Sequence, residues 1–271
     1  MTNGISANAG KNLVLIDGHA VAFHCWYTSD PNEVIEGFID MLDDSVQKHR
    51  ATHAVITFDP PPPVFRHHLY PDYKAGRPPV PEGFLEECEE LKELLTDEGY
   101  VVVEQEGYEA DDLIGTLSEL AERSGFNTLI STCDLDLLQL VTEKVSAEVF
   151  SQYWPTRMFD VEKTVTRFKG LRPGQIADYK ALAGDRSDNL PGVPGIGDVT
   201  ATVLLREKGS IEAIYQDLDS VSDLPMRGAV RTARVLGENK DQAFLMKRLT
   251  SIVRDVSLDV NLERAALRVA A

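Results

Sequence analysis

The sequence predicts an α/β protein with a mostly parallel central sheet, followed by a smaller helical subdomain. Short apolar runs alternate with helix-like segments through about the first 150 residues, which is typical of parallel strands joined by helices. Two of these runs end directly in an aspartate, a residue that favours turns and helix caps. After about Phe150 the segments become mainly helical, and glycine-containing turns separate them. A chain of 271 residues is long enough for one sizeable core with a small satellite domain.

Four apolar runs of strand length are the candidate strands. They cover residues 11–17, 52–59, 100–103 and 127–131. Apolar residues dominate them, which is typical of strands that are buried on both faces. Between them, apolar residues recur at helical spacing and predict helices over residues 34–48, 82–98, 109–123 and 135–141. The last residues predict a short closing strand and a frayed end.

The segment 60–81 interrupts this alternation, because it holds eight prolines in 22 residues. Proline lacks a backbone N–H, so we expect a long exposed loop there. The loop mixes cations with an aromatic ring, at Arg66, Tyr73, Lys74 and Arg77. Cationic side chains can bind backbone phosphates, and a tyrosine ring can stack on an unpaired base. The alternative is a solvated loop whose tyrosine is anchored on the core.

The composition excludes several classes of protein. No stretch approaches the ~20 apolar residues that span a bilayer, and residues 1–11 lack the apolar core of a signal peptide, so we expect no membrane association. The three cysteines are far apart, which suits free thiols in a reducing cytoplasm better than disulfides or a zinc site. A net charge of −17 argues against a broadly basic DNA-binding surface. Basic strips on an acidic body still bind DNA, with strong salt dependence.

Nine acidic residues fall in five short clusters, each at the end of a predicted strand or near a predicted helix. They are Asp17; Asp59; Glu109, Asp111 and Asp112; Asp134 and Asp136; and Asp185 and Asp188. Because the carboxyl ends of parallel strands meet at one edge of a sheet, we expect Asp17, Asp59 and Asp134 to converge. A single aspartate after a strand is usually a cap or a turn residue, but several that converge need counter-charge. Divalent cations with oxygen ligands, above all Mg²⁺, supply it.

Spacing within the clusters supports a metal centre. Glu109 and Asp112 are three residues apart, as are Asp185 and Asp188, so each pair shares one face of a helical turn. The alternative is that acids in a first helical turn only complement the helix dipole, worth ~0.3–1 kcal/mol each. Together the carboxylates suffice for two ions ~4 Å apart, an arrangement that activates water and stabilises the leaving oxygen in phosphodiester hydrolysis.

A glycine-rich turn over residues 192–197 (GVPGIG) follows the last acidic cluster. Closely spaced glycines allow backbone N–H groups to approach phosphate oxygens, and the helix predicted after them adds its N-terminal dipole. The alternative is a tight turn between two helices, which glycines alone would favour. The neighbouring acidic residues favour a functional interpretation.

Five strings in this sequence together resemble the 5′ nuclease family, which includes the 5′-to-3′ exonuclease domain of bacterial DNA polymerase I and flap endonucleases. They are LVLIDGHA, FDPPPPVFRHHLYPDYKAGR, GYEADDLIGTL, TCDLDLLQLV and GLRPGQIADYKALAGDRSDNLPGVPGIGDVTA, in the family's order over about residues 12–215. The chain looks like a stand-alone form of that domain. The resemblance implies a PIN-like core with a helical arch and a helical subdomain with a helix-3-turn-helix element. The expected boundaries are 1–160 for the core, about 60–98 for the arch, 161–271 for the subdomain and about 176–207 for the element.

The resemblance also implies an activity. The family hydrolyses DNA near 5′ ends, as exonuclease or flap endonuclease, by a two-metal-ion mechanism. The implied cofactors are two Mg²⁺ ions, for which Mn²⁺ substitutes, and K⁺ at the helix-3-turn-helix. The implied partners are DNA with a 5′ flap, nick or 5′ end and a DNA polymerase in trans, with the chain itself a monomer.

The family's pattern assigns roles to individual residues. One metal group comprises Asp17, Asp59, Glu109, Asp111, Asp112 and Asp134, and the other comprises Asp136, Asp185 and Asp188. Lys74 and Arg77 would act at the scissile phosphate beside Asp134, with Arg66 nearby, and Tyr73 would stack on a base. The duplex backbone would contact Gly192, Val193, Gly195, Ile196 and Gly197.

Three positions and one loop depart from the family's pattern. Basic residues are usual where this chain has Leu135, Pro61 and Val199, and the loop over residues 26–32 is shorter than usual. Each lost cation is expected to weaken phosphate binding and to reduce by about one the slope of the logarithm of the DNA-binding constant against the logarithm of the salt concentration. Three alternatives therefore stay open: a non-catalytic protein that binds branched DNA, an RNA-directed nuclease of the same fold, and a phosphatase for small phosphates.

Overall fold

The protein, as a computed structural model describing residues 10–28 and 33–267, is built on one six-stranded sheet. The strands are β1 (Asn12–Asp17), β2 (His53–Phe58), β3 (Val101–Glu104), β4 (Asn127–Thr132), β5 (Val145–Val149) and β6 (Arg157–Phe159). Their order across the sheet is β3-β2-β1-β4-β5-β6. Every neighbouring pair is parallel except β5 and β6, which are antiparallel. The mostly parallel sheet predicted from the sequence is confirmed.

The register aligns the carboxyl ends of the three central strands. Asp17 of β1 lies opposite Thr57 of β2, and Ile16 lies opposite Ser131 of β4. Residues that follow these strands therefore emerge at the same edge of the sheet. We call it the carboxyl edge. This register brings together acidic residues that are more than 100 positions apart in sequence.

Helices cover both faces of the sheet. They are α1 (Gly18–Thr28), α2 (Val34–Lys48), α3 (Phe65–Leu69), α4 (Phe84–Asp97), α5 (Ala110–Arg123) and α6 (Val161–Arg167). Helix α5 buries Leu113, Ile114 and Leu117 in one core, while α1, α2 and α4 bury residues such as Phe38 and Phe84 in the core on the other face. A 3₁₀ helix over Asp136–Leu140 follows β4. No helix in the described parts of the chain has the length and apolar character to cross a bilayer.

The second half of the chain forms a helical region with its own core. Its helices are α7 (Ile176–Ala183), α8 (Asp198–Lys208), α9 (Ile211–Gln216), α10 (Ala229–Glu238) and α11 (Lys240–Thr250). Leu182, Leu204 and Met246 are fully buried in this core, so α7, α8 and α11 pack together. Helices α7 and α8 flank the glycine-rich turn, as expected for the predicted helix-turn-helix element. The predicted boundary between the two regions stays a prediction.

Some elements differ from the sequence predictions. The sequence did not identify α1, β5 or β6, and the proline-rich segment contains α3 instead of being loop throughout. Helix α3 carries Arg66, whose side chain is buried, while the turns between α3 and α4 are largely exposed. The predicted closing strand is reduced to one antiparallel bridge between His53 and Ala266. Residues 1–9 and 29–32 lie outside the described residues, and so does most of the loop predicted to be short.

Candidate metal centre and nucleic-acid interface

Asp17, Asp59 and Asp134 lie at the carboxyl edge, as the parallel sheet requires. The Thr132 hydroxyl at the end of β4 donates to Asp17 Oδ2 over 2.7 Å and accepts from the Asp134 N–H over 2.9 Å. Asp59 Oδ1 accepts from the Ala110 N–H at the start of α5 over 2.7 Å, so this carboxylate lies beside the acidic first turn of that helix. Three strand ends and one helix start are thus connected at a single site.

The first carboxylate group, Asp17, Asp59, Asp111 and Asp134, is poorly neutralised. Burial and then the charge of Asp59 raise the pKa of Asp17 to about 7. Burial, Asp134 and Asp17 raise the pKa of Asp111 well above its usual range. Among the described residues, no Lys or Arg lies within 4.0 Å of these four carboxylates. Such repulsion is relieved when a divalent cation binds, so the residues present fit a metal site.

The second carboxylate group, Asp136, Asp185 and Asp188, is compact enough for one ion. One ligand oxygen from each residue lies within 4.8 Å of the others. The Asp136 N–H donates to Asp134 Oδ1 over 2.7 Å, so the two groups are adjacent. Asp185 is fixed by a turn in which its Oδ1 accepts from the Ser187 N–H and hydroxyl, at 2.8 and 2.6 Å.

Lys180 is a site residue that the sequence reasoning missed. Its ammonium group on α7 donates to Asp136 and, over 2.6 Å, to Asp185 Oδ2. Burial opposes its charge, but Asp136 and Asp185 outweigh burial and raise the pKa of Lys180. For Asp136, burial and Asp134 raise the pKa to about 8 in spite of the lysine. The available signal was its position five residues before Asp185, which places both on the last turn of α7 and the turn that follows.

The predicted arch residues bind carboxylates directly. Lys74 Nζ donates to Glu109 Oε1 over 2.5 Å, and Arg77 Nη2 donates to Asp188 Oδ1 over 2.7 Å. Burial opposes ionisation of Glu109, but Lys74 and Arg66 outweigh it and lower its pKa. Both predicted catalytic cations therefore lie at the rim of the candidate metal centre, in contact with its carboxylates.

Tyr73 occupies a different position from the one predicted. Its side chain is buried, with the phenol donating to Glu109 Oε2 over 2.9 Å or to Asp188 Oδ2 over 3.1 Å. Its ring meets His67 edge to face, at 5.4 Å between centroids. A buried ring with a hydrogen-bonded hydroxyl is not free to stack on a base. The structure therefore corrects the stacking prediction, and Tyr73 connects the two carboxylate groups instead.

Arg66 and Asp112 form a buried ion pair, an arrangement different from the one predicted for both residues. The guanidinium group donates to Asp112 Oδ2 over 2.6 Å and to Oδ1 over 2.8 Å, and it also donates to the carbonyls of Leu249 and Ser251. Arg66 is 3% exposed and Asp112 is fully buried. Asp112 Oδ1 also accepts from the Val253 N–H over 2.9 Å. In this structure Asp112 is therefore the counter-ion of Arg66, and the predicted roles of the two residues toward metal and DNA stay predictions.

The glycine-rich turn presents backbone, not side chains. Gly192 has φ of +67°, and a Cβ there would lie 2.3 Å from the backbone N of Gly184, so no other residue fits. Val193 and Ile196 are buried in the helical core, while Gly195 and Gly197 are exposed. Val193 and Ile196 therefore anchor the turn by their side chains, while backbone is exposed at Gly195 and Gly197.

The departures from the family's pattern have clear positions. Val199 is 76% exposed in the first turn of α8, where a cation would reach solvent. Leu135 lies between the two carboxylate groups in sequence and packs its side chain against the core of the sheet region.

Curated relatives are similar over almost the whole chain. It is 35% identical over 270 residues to DNA polymerase I of Chloroflexus aurantiacus and 37% identical over 260 residues to the thermostable DNA polymerase I of Thermus thermophilus. These alignments cover 95% and 93% of this chain but only 28% and 30% of the polymerases. The chain thus spans about three tenths of the length of these relatives.

Solved structures share the fold. The phage T5 5′-exonuclease with bound zinc ions superposes with a TM-score of 0.76 at 22% identity, over 89% of each chain. The catalytic core of Rad2 in complex with DNA substrate superposes with a TM-score of 0.56 at 15% identity, over 92% of this chain and 81% of that one. At these identities the likeness shows the fold, and it confirms the fold class predicted from the sequence.

Two family models match the chain one after the other. The model described as the 5′-3′ exonuclease N-terminal resolvase-like domain matches residues 12–169, and the model described as the 5′-3′ exonuclease C-terminal SAM fold matches residues 171–271. Together they cover nearly all of the sequence and confirm the nuclease class inferred from its motifs. This protein belongs to the 5′-3′ exonuclease family.

Proposed function

We propose that the protein is a divalent-metal-dependent 5′ nuclease that hydrolyses DNA phosphodiester bonds at 5′ flaps, nicks or 5′ ends. The observation that carries the proposal is the pair of adjacent carboxylate groups at the carboxyl edge, joined by the hydrogen bond from Asp136 to Asp134. Under-neutralised carboxylates have no structural purpose of their own, since they destabilise the metal-free fold. They are consistent with a centre built to hold cations.

The oxygen-only donor set suits Mg²⁺, with Mn²⁺ as a substitute. When bound, such ions supply activation of water and charge stabilisation at the phosphate. We assign Asp17, Asp59, Asp111, Asp134 and Glu109 to one ion and Asp136, Asp185 and Asp188 to the other. Tyr73 and Thr132 hold these carboxylates in place through hydroxyl groups.

DNA would be held mainly through its backbone. Lys74 and Arg77 lie on the rim of the centre, and each can transfer its hydrogen bond from a carboxylate to a phosphate oxygen once metal has neutralised the acids. The exposed glycines of the turn over residues 192–197 would contact the duplex backbone, and carbonyls of that turn would hold a K⁺ ion. Because these contacts read shape, we expect little base specificity.

Further assignments rest on the relatives. Proteins named DNA polymerase I contain a region similar to this chain, so we propose that a DNA polymerase is its working partner. We propose that the protein is a monomer, because all the carboxylates of the candidate metal centre come from one chain. Cys25 and Cys88 are buried free thiols and Cys133 is an exposed one, which is consistent with a cytoplasmic location.

A 5′-labelled flap duplex tests the function. Incubation with Mg²⁺ should release a labelled product, incubation with chelator should not, and the Asp134→Asn variant provides the matched control. A product as long as the flap would establish endonuclease action at the junction, and mononucleotides would establish exonuclease action. Binding of the duplex without any cleavage, in either Mg²⁺ or Mn²⁺, would overturn the proposal in favour of a binding protein. Cleavage of the equivalent RNA flap but not of DNA would overturn the substrate assignment.

A further inference from the structure

Every carboxylate of the second group is already bound to a cation that the protein itself supplies. Lys180 donates to Asp136 and Asp185, and Arg77 donates to Asp188. The Lys180 side chain is 16% exposed, so this contact is largely shielded from water. A shielded ion pair of this kind is stronger than one on the surface.

Within residues 10–28 and 33–267, the first carboxylate group has no Lys or Arg within 4.0 Å. Asp17 accepts from two neutral donors, the Thr132 hydroxyl and the Ala20 N–H. The nearest basic group to Asp59 is the His19 ring, 3.8 Å away. The two halves of one centre are therefore neutralised in different ways, although they consist of the same kind of residue.

The Lys180 ammonium group and a metal ion compete for the same oxygens. A divalent ion bound by Asp136 and Asp185 needs oxygens that this ammonium group contacts, and two cations at hydrogen-bond distance repel each other. Binding of metal at the second group therefore requires the lysine to move.

The structure contains a place for the displaced side chain. A cavity of about 340 Å³ adjoins Lys180 and is lined by Leu135, Tyr179 and Asp198, and also by the basic residues Arg167 and Lys169. The carboxylate of Asp198 at the start of α8 offers a new partner for the ammonium group. Leu135 adds no charge to this cavity, so Asp198 is the lining residue that would balance the displaced ammonium group beside Arg167 and Lys169.

We propose that Lys180, assisted by Arg77, is an internal counter-ion that occupies the second metal position in the metal-free protein and is displaced when metal binds. This inference rests on the proposed function, because it presumes a metal at that position. It implies that the two positions fill in order. Among the described residues, metal binding by Asp17, Asp59, Asp111 and Asp134 displaces no Lys or Arg from these four carboxylates, whereas the second group must first break three ion contacts. Glu109, the fifth residue assigned to the first ion, is itself paired with Lys74 and Arg66.

The test is Mn²⁺ binding to the protein without DNA, measured by calorimetry and by thermal unfolding. In Lys180→Met the competitor is removed while the length of the side chain is kept. The weaker of two Mn²⁺ sites should then tighten by about tenfold, a typical size for two coupled binding equilibria. Mn²⁺ at one fixed concentration above Kd should also raise the Tm of the variant by more than it raises that of the wild type, since ligand binding stabilises by RT ln(1 + [L]/Kd) and this free energy grows as Kd falls.

Lys247 provides a matched control. It also bridges two carboxylates, Asp178 at 2.8 Å and Glu212 at 2.6 Å, but it belongs to the helical region and not to the metal centre. Lys247→Met should lower Tm without altering Mn²⁺ affinity. If Lys180→Met does not fold, Arg77→Gln removes the half-exposed partner of Asp188 and should tighten the same site by a smaller factor.

The outcomes separate the two proposals. Wild-type protein that binds no Mn²⁺ would overturn the proposed function. Wild-type protein that binds two ions, together with a Lys180→Met variant whose weaker site is unchanged or weaker still, would overturn only the counter-ion role. An equal gain in affinity for Lys247→Met would also overturn it, since the effect would then be one of general charge.

Discussion

The two carboxylate groups of this protein differ in how their charge is balanced. The first group is built from strand ends and the first turn of α5, and no Lys or Arg of the described residues lies within 4.0 Å of its members. The second is built from a 3₁₀ turn and the turn after α7, and basic side chains bind all three of its members. The difference shows that the register of a parallel sheet can bring acids together without paired cations, while the acids carried by these turns are paired with basic side chains.

Glu109 and Tyr73 lie between the two groups and connect them. Glu109 accepts from Lys74 and Tyr73, and the same phenol lies 3.1 Å from Asp188 of the second group. One buried hydroxyl thus lies within hydrogen-bond distance of both Glu109 and the second group. Substitutions in and around the two groups test this contrast, and the largest effect is expected for a change in the first group.

Asp134→Asn should remove most cleavage while DNA binding persists. Asp134 belongs to the first group, whose charge only a metal can balance, and loss of the metal removes several kcal/mol of transition-state stabilisation, or about 10³-fold in rate. Single-turnover cleavage of the flap duplex and a gel shift in Ca²⁺ would measure the two properties. Retention of the wild-type rate would remove Asp134 from the centre.

Arg66→Met should destabilise the protein by about 3–5 kcal/mol, because it leaves Asp112 as an uncompensated buried charge. Denaturant unfolding measures this loss. Asp112→Asn should cost less, since an amide retains one acceptor for the guanidinium group. Loss of cleavage at unchanged stability in Asp112→Asn would instead show that Asp112 is a metal ligand.

Lys74→Ala should slow cleavage by about 100-fold, the typical cost of removing one preorganised donor to a transition state. Stability should change little, because the ammonium group lies at the rim of the centre. Comparison of single-turnover rates with the unfolding midpoint separates these effects. A rate close to that of the wild type would show that this lysine serves only as a counter-ion to Glu109.

Asp17→Asn should stabilise the metal-free protein by about 1 kcal/mol while it impairs cleavage, the trade-off expected where an active site stores repulsion. The amide can still accept from Thr132 and Ala20, so only the charge is lost. The Tm in chelator should rise in this variant, and the rise should vanish in saturating Mg²⁺. A lower Tm in chelator would show that the first group is not under electrostatic strain.

The sequence was sufficient for the four strands β1 to β4 and for the convergence of acids. Apolar runs that end in aspartate predicted β1 and β2, and the rule for parallel strands then placed Asp17, Asp59 and Asp134 together. It was insufficient for α1, whose apolar residues surround the helix and give no stripe, although its buried residues lie on one face. It also missed β5, where Ser146 and the buried Glu148 interrupt the apolar pattern.

Partners distant in sequence were the other limit. Arg66 and Lys180 look alike in the sequence as cations near functional motifs, but the first is buried against Asp112 and the second binds Asp136. Their partners lie 46 and 44 positions away, and no spacing rule predicts such a pairing. Tyr73 was misassigned for the same reason, since its burial depends on α3 packing against the helical region.

The buried Arg66 guanidinium group joins three separate stretches of chain. It is carried by α3, binds Asp112 of α5 and donates to the carbonyls of Leu249 and Ser251 at the end of α11. This joint holds the helical region, whose turn over residues 192–197 would bind the duplex, at a fixed distance from the carboxylates that would take part in cleavage. An enzyme built on such a joint selects the bond it breaks by distance from the gripped duplex, so its cleavage position should be constant across substrates of unrelated sequence.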